Sequence, residues 1–254
     1  RASASSTTTT PEAAALDPRV QRVLRDWQYL EVARRPVHVA WREEKRRQQA
    51  ARREEQSARK ALAAFANAGG EQQRVLLVRH GEALHNVRWR EFCGTPDTPL
   101  TECGRGQARR LAAHPALLQC ELLVVSPLSR AVETAATIFG ERPPCRTCLC
   151  ALHSERLDDR AACNWGSPRS ALSTRFPFVR EWDGYEELPE EWWPSAEQDA
   201  HDRWRTERVP AFLAWLGEQP EARVVVVGHG AFLSDARLAG RMLANCEVAV
   251  MRGR

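Results

Sequence analysis

Val75-Leu76-Leu77-Val78-Arg79-His80-Gly81-Glu82 runs four aliphatic residues straight into an arginine, a histidine and a glycine. Much further along, Val224-Val225-Val226-Val227-Gly228-His229-Gly230 repeats the arrangement. Apolar runs of this length, rich in β-branched residues, predict strands buried on both faces. Between them, Leu122–Val125 reads as another strand and residues 146–152 as a third in the order of the chain. Helical patterns separate these runs: Thr101 to His114 with Thr101 as N-cap, and a helix opening at Ser126-Pro127 and ending at Phe139-Gly140. A further helix is expected over Arg203 to Gly217, kinked by Pro210, and residues 153–200 read as irregular. Buried strands alternating with helices predict a three-layer α/β/α domain with a mostly parallel central sheet.

Outward from that domain the texture changes. Residues 1–15 are Ser, Thr and Ala with little to bury and read as a disordered tail. Residues 16–70 read as a charged helical extension, broken at Pro36, and residues 71–254 as the α/β domain itself. Residues 16–66 hold 13 Lys and Arg against 7 Asp and Glu, so the net charge of +4 belongs to this extension and the domain is slightly acidic. Interleaved acids argue against a nucleic-acid partner, and the extension reads as a solvated face or a surface for protein contact or oligomerisation. Glu181 to Asp202 carries nine acids and no Lys or Arg. With Trp182, Trp192 and Trp193 inside it, this stretch reads as a surface loop anchored by its tryptophans rather than as a lid for a cationic ligand.

No run of about 18 apolar residues occurs, so no membrane-spanning helix is expected. The eight cysteines lie mostly in strand-like segments and read as reduced thiols. Cys145, Cys148 and Cys150 with His153 come nearest to a metal-ligand pattern, but no second Cys-x-x-Cys pair accompanies them and no metal is expected. With no Asn-x-Ser/Thr sequon and no secretory apolar segment, an intracellular, by default cytoplasmic, setting is expected. The Ser/Thr-rich start without Met would also suit the end of an organellar transit peptide, and hence a processed chain or a fragment.

The chemistry concentrates at strand ends, where α/β sheets present residues to ligands. His80 and His229 each follow a buried strand and are flanked by glycine. Arg79 adjoins the first, and Arg130 lies in the first turn expected after Leu122–Val125. Two imidazoles and two guanidiniums at one edge make a pocket for a dianion, most naturally phosphate. Gly-x-x-x-x-Gly-Lys, Gly-x-Gly-x-x-Gly and Gly-x-Ser-x-Gly are all absent, which leaves nucleotide loops, dinucleotide binding and serine hydrolysis without support.

Leu77-Val78-Arg79-His80-Gly81-Glu82 with Asn86 resembles the signature of the histidine phosphatase superfamily, in its phosphoglycerate mutase-like branch. Asp97-Thr98-Pro99-Leu100-Thr101, Ser126-Pro127-Leu128-Ser129-Arg130-Ala131 and Val227-Gly228-His229-Gly230 resemble its later blocks, in family order. The resemblance implies that His80 is the nucleophile, forming a phosphohistidine, and that Arg79, Arg130 and His229 hold the phosphate. It also implies that Asn86 contacts phosphate or substrate. The family's acid should follow the third strand, where Glu155 fits best and Asp158 is the fallback. Neither a metal nor a cofactor is implied. The expected function is hydrolysis of a small phosphorylated metabolite. The rivals are mutase-type phosphoryl transfer and a non-catalytic phospho-ligand scaffold. The 99 residues from Arg130 to His229 look short for the covering segment of a mutase and favour hydrolysis.

Overall fold

The computed structural model describes residues 73–157, 161–195, 199 and 202–252, together with Gln49, Arg52, Gln56 and Ala63, which are helical. The chain divides into units 1–52 and 53–254. The expected tail and nearly all of the charged extension lie outside the described residues, as does Asp158.

Five strands form one sheet in the order β3-β2-β4-β1-β5: β1 Arg74–Arg79, β2 Leu122–Val125, β3 Arg146–Leu149, β4 Arg223–Gly228 and β5 Val248–Val250. The first four are parallel; β5 runs antiparallel to β1. This short edge strand is absent from the elements expected of the sequence, because three residues beside a terminus carry too little pattern. Alternation along the strands explains the layers. Leu76, Val78, Leu123, Val125, Val225 and Val227 face one way, onto α3 (Glu102–Leu111) and α4 (Ser129–Phe139). Val75, Leu77, Leu122, Val124, Val224 and Val226 face the other way, onto α6 (Val209–Gly217) and α7 (Gly230–Leu233). Each such side chain taken out of water contributes about 1.5–3 kcal/mol, so these two apolar layers supply the main drive to fold. The other short helices are α1 (Leu84–Val87), α2 (Trp89–Phe92) and α5 (Arg169–Arg175).

Several boundaries differ from expectation for physical reasons. Thr101 does cap α3, its Oγ1 accepting from Gly104 N, but the helix ends at Leu111. Ser126 does not cap α4, which begins at Ser129. Asp97 reaches across the chain instead: its carboxylate accepts from Ser129 N at 2.7 Å and from Ser129 Oγ at 2.6 Å. The helix expected over Arg203 to Gly217 forms, but as a π-helical stretch, Trp204–Arg208, that runs directly into α6; Pro210 falls just after this junction, where the wider π-turn accommodates the donor it lacks. Strand β3 stops at Leu149, and the chain enters a 3-10 turn at Ala151–His153. Within the acidic stretch, Trp182 and Trp192 are buried as anchors, while Glu181 pairs with Arg142 and Asp183 with Arg146. Cys120 and Cys145 are free thiols that hydrogen-bond to each other. Among the described residues no helix is long and apolar enough to cross a membrane.

Candidate active site

The carboxyl ends of β1, β4 and β2 are neighbours in the sheet, and each delivers a polar residue. Arg79 is in register with Gly228, and His80 N donates to Gly228 O at 2.9 Å. Val125 is in register with Val227, and Ser126 N donates to Val227 O. His80, His229 and Ser126 therefore emerge side by side. The rings of His80 and His229 lie 5.2 Å apart between centroids although 149 positions separate them in sequence. Gly81 is required here, since a Cβ on it would stand 2.7 Å from the backbone oxygen of Gly104 in α3.

His80 Nδ1 is 2.7 Å from the carbonyl of Gly81. A carbonyl only accepts, so Nδ1 carries the proton and Nε2 keeps its lone pair. His229 Nε2 meets Ser126 Oγ at 2.7 Å, while its Nδ1 is buried without a protein partner among the described residues. The serine expected to begin a helix thus orients the second imidazole.

Arg130 is completely buried on α4. Its guanidinium donates to the carbonyl of Cys163 at 2.8 Å and to Asn164 Oδ1 at 2.9 Å. Arg79 donates to the carbonyl of Leu243 at 2.7 Å. Neutral oxygens hold both cations, and the Nε atoms of both are buried with no bond among the described residues. Two desolvated charges fixed by dipoles leave an unmet demand for an anion. Burial pushes the pKa of both guanidiniums down, opposed at Arg79 by the carboxylates of Glu155 and Glu247 and at Arg130 by those of Asp97 and Glu155.

The imidazoles respond in the same direction. Desolvation first, then the charges of Arg130 and Arg79, hold His80 well below the ordinary imidazole range. His229 is lowered by burial, then by Arg130 and His80. Both rings are neutral at pH 7, as an attacking imidazole must be.

The family model of the histidine phosphatase superfamily (branch 1) matches residues 75–241, and this span carries every residue just described except Leu243. The chain belongs to the histidine phosphatase superfamily. Solved structures similar to it include a mycobacterial glucosyl-3-phosphoglycerate phosphatase in complex with VO3, at 25% identity over 69% of this chain and 89% of that one, TM-score 0.45. Another is the phosphoserine phosphatase of Entamoeba histolytica in complex with 3-phosphoglyceric acid, at 22% identity over 70% and 90%, TM-score 0.46. No curated protein matches the chain.

Within this superfamily member, Glu155 stands beside the second histidine. Its two carboxylate oxygens accept from Ala231 N and Phe232 N, each at 3.0 Å, in the first turn of α7. One arginine holds the segment behind it. Arg208 makes a bidentate bond to the buried Asp199 at 2.7 and 2.8 Å and donates to the carbonyl oxygens of Leu152 and Ser154 and to Ser154 Oγ. Asp199 in turn accepts from Leu157 N.

Asn86 holds the turn after β1 through its side-chain oxygen, while its amide N–H groups, the atoms that could donate to a phosphate, take no part in that. Its Oδ1 accepts from Ala83 N at 3.0 Å and from Asn245 Nδ2 at 3.2 Å, and Asn245 also donates to His80 O. That oxygen is committed to holding the turn after β1. Sequence reading missed Ser126 in its present role, Asn164, Asn245 and the Arg208–Asp199 clamp. It also missed His85, a buried ring 6.0 Å from that of His80 and bonded to Thr98 Oγ1 at 2.6 Å. His85 lies five residues after His80 on a four-residue helix, too short for periodicity to single it out.

Proposed function

We propose that the protein is a phosphomonoester hydrolase working through a phosphohistidine, with His80 as nucleophile and no metal ion in the step. His80 Nε2 attacks phosphorus while the P–O bond to the alcohol breaks, and the departing alkoxide takes a proton from Glu155. Water then attacks the phosphohistidine, yields its proton to the Glu155 carboxylate, and releases inorganic phosphate and neutral His80. Arg79, Arg130 and His229 offset the charge of the transferring phosphoryl group.

The observation that carries this reading is the free Nε2 of His80 in a pocket where two guanidiniums are hydrogen-bonded only to neutral oxygens. The placement of Glu155 fits a switching acid. Its two oxygens accept from the amides of Ala231 and Phe232, two and three residues after His229.

Rapid-quench labelling with an aryl phosphate tests the proposal. The expected result is an acid-labile, base-stable phosphoryl label on the wild type, absent from His80→Ala, whose turnover falls on the order of 10⁴-fold or more. A wild type that never takes up label removes the hydrolase reading, and return of the phosphoryl group to a second substrate hydroxyl would reassign the protein as a mutase.

A further inference from the structure

Five large hydrophobic side chains are exposed among the described residues: Val87, Trp89, Leu118, Trp165 and Met242. Scattered exposed apolar residues are ordinary, but four of these five stand one step from the phosphate pocket. The ring of Trp89 contacts that of His85 at 6.5 Å, and His85 contacts His80. Val87 follows Asn86, which is tied through Asn245 to the backbone of His80. Trp165 follows Asn164, which holds Arg130. Met242 lies over the other arginine: a Cβ on Gly230 would stand 2.8 Å from Met242 Sδ and 3.1 Å from Arg79 Nε. Leu118 sits in the 3-10 turn ahead of β2, at the opposite end of the sheet.

The four come from three segments of chain: Val87 and Trp89 from α1 and α2, Trp165 from the turn whose Cys163 and Asn164 hold Arg130, and Met242 from the stretch whose Leu243 holds Arg79. Trp89 is 48% exposed and Trp165 42%, unusual for tryptophans in a domain that buries Trp182, Trp192 and Trp204. Of the charges beside them in the chain, Arg88 pairs with Glu91 and Arg241 with Glu247. The floor demands a phosphate and the rim offers area to something that prefers leaving water.

We infer that the substrate is a phosphomonoester of an aromatic or otherwise bulky apolar alcohol, its phosphate on the floor and its apolar body against Trp89, Trp165 and Met242. This rests on the proposed hydrolase reading for turnover, but not for binding. A polyhydroxylated or amino-acid alcohol would leave the tryptophans wet and its own polar groups poorly matched.

Calorimetric titration of the full chain with two non-hydrolysable ligands, benzylphosphonate and methylphosphonate, separates the two ideas. Benzylphosphonate is expected to bind about ten-fold or more tightly. That ratio should shrink toward one in Trp89→Ala and Trp165→Ala and stay intact in Leu118→Ser, which exposes no new surface near the site. Hydrolysis of benzyl phosphate and glycerol 3-phosphate, both esters of alcohols that leave poorly, should show the same preference in kcat/KM. Equal affinities in the wild type, or a preference that survives both tryptophan variants, overturns the inference. Selective benzylphosphonate binding without hydrolysis of any ester would sink the hydrolase reading alone.

Discussion

His80 and His229 stand on strands whose register is fixed by a ladder of backbone bonds, whereas Glu155 stands on a segment whose place is fixed by the side chains of Arg208 and Asp199. The first construction uses every peptide group along β1 and β4. Losing one side chain shifts nothing in it. The second hangs several residues on one guanidinium, itself only 12% exposed, so a single substitution can move the acid without touching the floor. Ligand-gripping and proton-delivering parts of one pocket are thereby made separable, and the variants below divide them.

The largest effect beyond loss of the nucleophile concerns two further buried imidazoles: His85, next to His80, and His153, whose Nε2 meets the carbonyl of Val227 at 3.2 Å against the rings of Phe212 and Phe232. Burial lowers His85 to about 3 and His153 to about 4. In the unfolded chain an imidazole titrates near 6.5. The folded form therefore binds fewer protons below that pH, and stability is full above about 6.5 and falls as the pH drops toward the folded values. At pH 5 the loss is about 2 kcal/mol for each of these two, and His80 and His229 act in the same direction. Denaturant unfolding at pH 7.5 and pH 5 measures it. An unchanged midpoint would contradict the neutral, desolvated histidines.

Next comes Arg130→Met, which removes one cation from the floor while keeping an unbranched apolar stem. A fall of roughly 10²–10³-fold in kcat/KM is expected, as for loss of a preorganised donor to a transition-state oxyanion. Affinity for inorganic phosphate should fall with it. His80 should become easier to protonate, because the Arg130 charge is among the causes of its lowering. The acid limb of the rate profile then moves to higher pH, an effect that mere unfolding would not give.

On the other side of the comparison, Glu155→Gln should slow esters of poorly departing alcohols by about 10²-fold or more while leaving activated aryl phosphates much closer to wild type. Equal loss on both classes would take the acid role from Glu155. Arg208→Lys is the subtler break. A lysine cannot grip Asp199 bidentately and also reach the backbone of 152–154. The expected pattern is the same leaving-group dependence in kcat, with KM for a given ester little changed.

This division also marks what could be read from the sequence. Strand ends such as Val78-Arg79-His80 and Val227-Gly228-His229 are legible because period, burial and position in an α/β sheet all point one way. The sheet and the convergence of two imidazoles with two guanidiniums follow from local texture plus one topological rule. Asn245 and the Arg208–Asp199 clamp are illegible for the opposite reason. Each works through a contact between segments distant in sequence, and its residue type looks ordinary where it stands. Asp97 shows how one such contact redirects a sound local rule: by capping α4 from 32 positions away it releases Ser126 from the role its neighbours suggest.

Ser126 supplies the smallest and most discriminating effect. Its hydroxyl meets His229 Nε2 at 2.7 Å in a fully buried setting, and α4 owes its start to Asp97. If Ser126 were a helix cap, Ser126→Ala would cost stability and leave catalysis alone. Since it orients an imidazole instead, the variant should lose about 1 kcal/mol of stability from one buried hydrogen bond and, more tellingly, several-fold in kcat/KM. Ser126→Thr keeps the hydroxyl and should recover most of the rate, provided the extra methyl fits beside Leu128. Asp97→Asn reverses the pattern: the cap is weakened, so the helix pays in melting temperature while His229 keeps its partner. Comparing melting midpoints with kcat/KM across these three variants isolates the hydroxyl, and a Ser126→Ala enzyme of unaltered rate would return that serine to a structural role.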